Sequence, residues 1–195
     1  MMEYAFSNLS RVMITIDPVR TFDALLGAGL SKAGLTRFLN RARTAVGVEG
    51  EVHVLLADDR TLRRLNRTFR GENKATDVLS FPAGAAGDAS GGIAGDLAIS
   101  LETAARQAAR FGHSLRDEVR VLLLHGTLHL AGFDHEADSG EMAACEAELR
   151  REFGLPVGLI ARGGVPGPDA KADSSAALRN DKSALRNDKG KRVRP

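Results

Sequence analysis

Residues 121–135 of the chain, VLLLHGTLHLAGFDH, constrain its fold more than any other segment. Apolar residues surround His125 and His129, which are four positions apart and therefore lie one turn from each other on the same face of a helix. Gly132 follows as a position at which a helix can end and the chain can reverse. Such a reversal brings His135 back toward the same point. The segment predicts a late apolar helix with a cluster of three imidazoles at its end.

The three clustered imidazoles have the chemistry of a metal site. Three of the five histidines of the chain fall in this segment, whereas a histidine alone on an apolar helix is usually a core residue. Imidazole nitrogens suit zinc, with nickel, copper and iron as chemical alternatives. Three nitrogens at about 2.0–2.1 Å from zinc leave the fourth position open for water, as in catalytic sites. We therefore expect His125, His129 and His135 to bind one zinc ion, and treat the isolated His53 and His113 as ordinary residues.

The spacing H-x-x-x-H-x-x-G-x-x-H is also that of the metzincin peptidases, apart from one position. Those enzymes carry a glutamate directly after the first histidine, where it acts as the general base. This chain has Gly126 there, and Thr127 and Leu128 supply no carboxylate either. The pattern therefore keeps the ligands and lacks the base, which disfavours peptide hydrolysis. For Asp134 we expect a role in the turn or in orienting a ligand, with a direct acid–base role as the alternative.

Hydrophobic periodicity and turn residues divide the rest of the chain into short strands and amphipathic helices. The segment at 84–92 is rich in Gly, Ala and Ser and is expected to be a flexible loop. Ser139 is expected to cap the last helix. Four strands with helices concentrated late predict a single α+β domain with a small mixed four-stranded sheet and the metal site at the end of a late helix. The strands are expected at 11–16, 51–57, 78–81 and 96–100, and the helices at 35–46, 59–66, 101–111, 115–131 and 139–153.

Basic residues accumulate in and after the helix predicted at 59–66. Four arginines at helical spacing project from one face of this helix, which is either a solvated face or a phosphate-binding face: Arg60, Arg63, Arg64 and Arg67. Arg70 is expected in a loop before Gly71, from which an arginine can be aimed into a site and bind phosphate through two hydrogen bonds. Thr76 and Asp77 are expected to fix the following turn through side-chain hydrogen bonds, a structural role.

The net charge of +2 conceals two regions of opposite sign. The C-terminal stretch holds nine Lys/Arg against four Asp/Glu and few large apolar residues, which predicts a body at 1–160 and a disordered basic tail at 161–195. Aromatic residues make up 5% of the chain, so an aromatic platform is not expected to be the main device for binding bases. No apolar run reaches the roughly 20 residues of a membrane helix, no signal-peptide pattern opens the chain, and the single Cys145 excludes an internal disulfide. We expect a cytoplasmic protein.

Several motifs, taken together, resemble one protein family. They are LNRTFR at 65–70, TDVLSFP at 76–82, GD at 95–96 and HGTLHLAGFDH at 125–135. Their order and spacing across roughly 12–153 resemble the YbeY family of bacterial endoribonucleases and ribosomal-RNA maturation factors. The basic tail is a departure from that family.

The resemblance implies a metal-dependent hydrolase, a single-strand-specific endoribonuclease that acts in 16S rRNA 3′-end maturation and in ribosome quality control. It implies that single-stranded RNA and the ribosome or its small subunit are the partners. It further implies that His125, His129 and His135 are the zinc ligands, and that Arg70 is the functionally important arginine near the metal.

These residues suggest a mechanism in which the metal activates a water molecule or polarises a phosphoryl oxygen. Arg70 would stabilise charge on the phosphate in the transition state. Water and the RNA 2′-hydroxyl are alternative nucleophiles. Two other functions remain as alternatives: a ribosome assembly factor with a mainly structural zinc, and a zinc peptidase.

Overall fold

The computed structural model describes residues 12–16, 29–83 and 92–156. The tail predicted at 161–195 lies outside these residues, as does nearly all of the loop predicted at 84–92.

Four strands and five helices form in the described part of the chain, in the α+β arrangement predicted from the sequence. The helices begin at side-chain caps where the sequence offers serine or aspartate, since these accept backbone N–H groups of the first turn: Ser31, Asp58, Ser100 and Ser114. The strands are β1 (Val12–Ile16), β2 (Glu51–Ala57), β3 (Val78–Pro82) and β4 (Ile93–Ser100), and the helices are α1 (Lys32–Val46), α2 (Asp59–Arg70), α3 (Leu101–Phe111), α4 (Leu115–Leu130) and α5 (Glu141–Glu152).

The four strands form one mixed sheet in the order β1-β2-β4-β3. Strand β2 runs parallel to both β1 and β4, while β3 pairs antiparallel with β4. The predicted mixed sheet is therefore confirmed. Strand β3 is an edge strand of the sheet, so no neighbouring strand among the described residues pairs with the backbone N–H and C=O groups on its outer side.

The main core lies on the face of the sheet that packs against α1 and α4, and α5 packs against α4. Helix α4 is buried on nearly every side, and its central leucines are the largest group of fully buried side chains in the described residues: Leu122, Leu123, Leu124 and Leu128. Helix α2 covers part of the opposite face, where Leu62 packs against Leu79 and Ala98 in a smaller cluster. None of the helices in the described residues has the length and apolar character needed to cross a membrane.

Helix α2 is longer than predicted. It begins after Asp58, whose side chain accepts the Thr61 N–H at 2.8 Å, and it continues to Arg70 before Gly71 ends it at a φ of 73°. The prediction that Arg70 lies in a loop was therefore wrong. Arg70 is the last residue of a helix, which fixes its backbone more firmly than a loop would.

The start of α5 also differs from the prediction. The residue at its N-cap is Gly140, and Asp138 replaces Ser139 as the side chain that binds the first turn. The Asp138 carboxylate accepts the Gly140 N–H at 2.9 Å and the Met142 N–H at 2.8 Å. The prediction of Ser139 as the cap was wrong, because the longer Asp138 side chain satisfies these donors from one residue further out.

Candidate metal centre

His125 and His129 occupy the last two turns of α4. His125 is 4% exposed and His129 is half-buried. Their Nε2 atoms lie 3.2 Å apart, with ring centroids separated by 4.8 Å. The spacing of four residues therefore directs both imidazoles to one point, as the sequence predicted.

The chain reverses directly after α4 and returns His135 to the same point. The Phe133 N–H donates to the Leu128 carbonyl at 3.1 Å, and Gly132 takes a φ of 91°, which a residue with a side chain rarely adopts. The His135 ring centroid lies 5.2 Å from that of His125 and 5.3 Å from that of His129. One ligand nitrogen from each of the three histidines falls within 4.8 Å of the others, so together they can hold a metal ion.

Asp134 holds the turn that carries the third histidine. Its carboxylate accepts the Glu136 N–H at 3.1 Å, and its carbonyl accepts the Asp138 N–H at 2.8 Å. This is the turn role expected for Asp134. The two remaining histidines lie away from the cluster: His53 is paired with Asp96 and His113 with Glu118.

The hydrogen bonds of His125 and His129 engage their Nδ1 atoms and leave the Nε2 atoms to bind a metal ion. His129 Nδ1 lies 2.9 Å from the Phe133 carbonyl, which can only accept, so Nδ1 carries the proton. His125 Nδ1 lies 3.1 Å from the Glu146 carboxyl group, which assigns its proton to Nδ1 in the same way. Two Nε2 lone pairs then face each other at 3.2 Å, which is unfavourable without a cation between them. Nitrogens bound tetrahedrally to one zinc are separated by about 3.3 Å, so the distance between these two Nε2 atoms suits that ion.

The surroundings of His129 favour the form that binds metals. Burial lowers the pKa of His129, and the neighbouring His125 lowers it further. Both effects oppose the charged imidazolium, and a neutral imidazole is the ligand in metal sites. Burial therefore favours the neutral form of His129, which is the form whose nitrogen can bind a metal ion.

Glu146 is a buried side chain beside the histidine cluster that was not predicted from the sequence. It lies on α5, is 3% exposed, and contacts His125 through the hydrogen bond described above. A carboxylate behind a ligating histidine fixes the orientation of the ring and raises its basicity. The sequence does carry a signal for this role. Met142, Glu146 and Leu149 follow helical spacing and are all buried, so a carboxyl group stands on the apolar stripe of the last helix.

Arg70 reaches the same cavity as the histidines, although it comes from a distant helix. The cavity has a volume of about 590 Å³, and strand β3 forms one of its walls. Its lining includes the three histidines and the predicted arginine together with residues of β3, of the turn before it and of the turn after α4: Thr76, Asp77, Val78, Ser80, Pro82, Phe133, Asp134 and Glu136. The structure thus brings together all four side chains that the sequence proposed for the site.

Thr76 and Asp77 also line the cavity, but their hydrogen bonds are those of a turn. One carboxylate oxygen of Asp77 accepts the Val78 N–H at 2.8 Å and the Thr76 hydroxyl at 3.2 Å. The other accepts Gln107 Nε2 at 2.8 Å. These bonds fasten the start of β3 to α3, which agrees with the structural role expected from the sequence.

Gly126 occupies the position where a metzincin peptidase has its glutamate, and any side chain there would require neighbouring side chains of the sheet to move. A Cβ atom at Gly126 would lie 2.8 Å from Leu97 Cδ2 and 3.2 Å from Ser80 Oγ. Helix α4 therefore packs closely against the sheet at this point, and the first atom of a glutamate side chain would already displace the Leu97 side chain of β4.

Comparisons with known proteins agree with the motifs. The family model described as Endoribonuclease YbeY matches residues 29–154. A relative from Koribacter versatilis (strain Ellin345), named Endoribonuclease YbeY, is 53% identical over 143 residues, which are 73% of this chain and 91% of the relative. A second relative of that name, from Solibacter usitatus (strain Ellin6076), is 47% identical over 69% of this chain and 88% of its own length. A solved solution structure of a Thermotoga maritima protein matches with a TM-score of 0.46 and 24% identity, over 73% of this chain and 89% of that one. The family match and the two named relatives show that this chain belongs to the YbeY endoribonuclease family.

Proposed function

We propose that this protein is a zinc-dependent endoribonuclease that cleaves single-stranded RNA in the cytoplasm. Its substrate is 16S rRNA on the ribosome or its small subunit, in 3′-end maturation and ribosome quality control. The observation that carries the proposal is the convergence of His125, His129, His135 and Arg70 on one cavity. The relatives, which are named endoribonucleases, supply the class of reaction.

The three histidines are the proposed ligands of the zinc ion. A zinc ion held in this way supplies Lewis-acid activation of a water molecule or of a phosphoryl oxygen. Glu146 and the Phe133 carbonyl keep two of the imidazoles in the ligating tautomer.

Arg70 is the proposed phosphate-binding residue. Its guanidinium carries five N–H donors in a planar fork that matches two phosphate oxygens. Arg70 is the last residue of α2. The helix therefore fixes the backbone from which the Arg70 side chain extends. A cation aimed at the phosphate stabilises charge that develops in the transition state.

The outer face of α2 is the proposed path of the RNA backbone. The helix carries five arginines, all of them exposed: Arg60, Arg63, Arg64, Arg67 and Arg70. None of them forms an ion pair in the part of the chain that the structure describes. Their charges are therefore available to phosphates, and the stripe ends at the cavity.

The first test is zinc content and cleavage of a single-stranded RNA, for the wild type and for His129→Ala. We expect one zinc per wild-type chain, and cleavage that is lost both in the variant and after chelation. His53→Ala is the matched control, because His53 is paired with Asp96 away from the cavity. It should keep both zinc and activity. A 2′-deoxy substitution at the cleaved nucleotide distinguishes the RNA 2′-hydroxyl from water as the nucleophile.

The same experiment separates the alternatives. If the protein binds zinc but shows no metal-dependent cleavage, its function is that of an assembly factor and not of a nuclease. Loss of folding in His129→Ala would identify the zinc as structural. The space filled at Gly126 by Leu97 and Ser80 argues against a peptidase. Digestion of a peptide library by the zinc-loaded protein would overturn that argument.

A further inference from the structure

Phe69 is the most exposed large hydrophobic side chain in the described residues, at 64% exposure. It continues the apolar stripe of α2, in which Leu62 is fully buried. Phe69 extends beyond the small cluster beneath that helix, and its ring contacts Phe81 in a T-shaped arrangement with centroids 5.1 Å apart. Most of the aromatic surface is therefore left in solvent, although a buried ring at this position would stabilise the fold more.

The Phe69–Phe81 pair borders the proposed active site. Arg70 follows Phe69 directly and lines the cavity, and Pro82 follows Phe81 directly and lines it as well. Successive residues of β3 point to opposite faces of the sheet. Phe81 thus packs toward α2 while its neighbours Ser80 and Pro82 face the cavity. The exposed ring is therefore next in the chain to Arg70 of the cavity lining, and it contacts Phe81, which directly precedes Pro82 of the same lining.

The end of α2 that carries this ring is held in place. The buried Asn66 side chain donates to the Lys74 carbonyl at 3.0 Å, and the Asn66 backbone carbonyl accepts the Glu72 N–H at 3.4 Å. These bonds tie the loop after the helix back onto its last turn. An aromatic ring on such a support presents its surface to a ligand with little further ordering.

The charges around Phe69 indicate what that ligand is. Arg70 follows Phe69 directly, is exposed and lines the cavity, so a group that attracts phosphates stands next to the ring in the chain. A nucleotide joins a flat aromatic base to a phosphate, and base–aromatic stacking is a common element of single-strand binding.

We infer that Phe69 is a stacking subsite for the nucleobase next to the phosphate that Arg70 binds. The subsite accepts any base, because every base has a π-face, and it requires a single strand, because a paired base is not free to stack on the ring. This inference rests on the proposed function and adds to it a contact that selects unpaired RNA beside the cleaved bond.

The test compares Phe69→Leu with Phe69→Trp. Leucine keeps an apolar contact with Phe81 but has no π-face, whereas tryptophan keeps one. The probe is a 2′-O-methylated RNA oligomer with 2-aminopurine at successive positions, and its fluorescence reports stacking in the seconds after mixing. We expect quenching at one position with the wild type and with the Trp variant, and loss of quenching with the Leu variant. RNA binding should weaken about tenfold in the Leu variant, and in cleavage the KM should rise more than kcat falls.

Met13→Ala is the matched control. Met13 is 46% exposed on β1, at the opposite edge of the sheet from β3. It should leave RNA binding unchanged. Equal quenching and affinity in the Leu and Trp variants of Phe69 would overturn the subsite and would indicate that the exposed ring contacts a protein. An equal loss in the Met13 variant would overturn it as well. Quenching that depends on Phe69 in a wild-type protein that fails to cleave RNA would refute the proposed function and leave the subsite standing.

Discussion

Replacing Glu146 by leucine tests whether the carboxyl group behind His125 prepares the metal site. The two side chains are almost fully buried, with exposures of 5% for His125 and 3% for Glu146, and the bond between them is 3.1 Å long. Leucine has a similar volume and would lie between Met142 and Leu149 on the apolar stripe of α5. The change therefore removes one hydrogen-bond acceptor and leaves the packing of the helix largely intact.

The size of the effect follows from this environment. Loss of a carboxylate behind a ligating histidine typically reduces metal affinity by 10–100-fold, which corresponds to about 1.4–2.7 kcal/mol. In the metal-free protein, the stranded His125 N–H costs about 1–3 kcal/mol. Relief from burying the carboxyl group of Glu146 offsets much of that cost. We thus expect zinc affinity to fall by more than tenfold while the Tm of the metal-free protein moves by only a few degrees.

The assay is competition for zinc with a fluorescent chelator, together with thermal unfolding of the metal-free protein. Glu146→Gln keeps an oxygen that accepts from His125 Nδ1, so its affinity should fall less than that of the leucine variant. Glu148→Leu is the control, because Glu148 is an exposed carboxylate on the same helix. A leucine variant that binds zinc within threefold of the wild type would refute the reasoning, as would an equal loss in the Glu148 variant.

Three further changes test other parts of the structure. Arg70→Ala should lower cleavage by about 10²-fold or more, since it removes a donor to the transition state, while zinc content measured on the same sample stays at the wild-type level. Gly126→Ala places a Cβ atom 2.8 Å from Leu97 Cδ2, so unfolding in urea should show a loss of about 1–3 kcal/mol; an unchanged midpoint would mean that the helix can move away from the sheet. Burial raises the pKa of Asp59, but hydrogen bonds from Ser100 and from side chains of α3 outweigh it and leave the pKa lowered. Asp59→Ala should therefore cost about 1–3 kcal/mol near neutral pH, and the difference should shrink as pH falls below 3.8 through the lowered value. A difference that is constant with pH would exclude the carboxylate as its source.

The parts of the fold that the sequence predicted best depend on short-range patterns. Strand β2 at 51–57 and helix α3 at 101–111 begin and end where the periodicity placed them. Strand β4, in contrast, begins at Ile93, three residues earlier than predicted, because its pairing with β2 extends past a register shift at Glu51/Val52. Strand β2 is distant from β4 in the sequence, so the periodicity of β4 alone cannot predict where their pairing begins.

Arg70 and Ser139 show the same limit at the ends of helices. Arg70 was predicted in a loop because it directly precedes Gly71, yet contacts of Asn66 with the following loop keep the last turn helical. Ser139 has the side chain of a cap, but Asp138 is better placed to bind the first N–H groups. Helix ends are decided by competition among neighbouring caps and by tertiary contacts, and residue type ranks these only weakly.

The histidine triad was determined by the sequence alone, because its convergence needs only helical spacing and one reversal at Gly132. Both are set by backbone bonds between residues a few positions apart. The placement of Glu146 behind His125, of Arg70 in the same cavity and of Phe69 against Phe81 was decided by tertiary structure. These residues lie on helices that reach the site only when the sheet and the core are packed, and their mutual positions follow from the shapes of many buried side chains together.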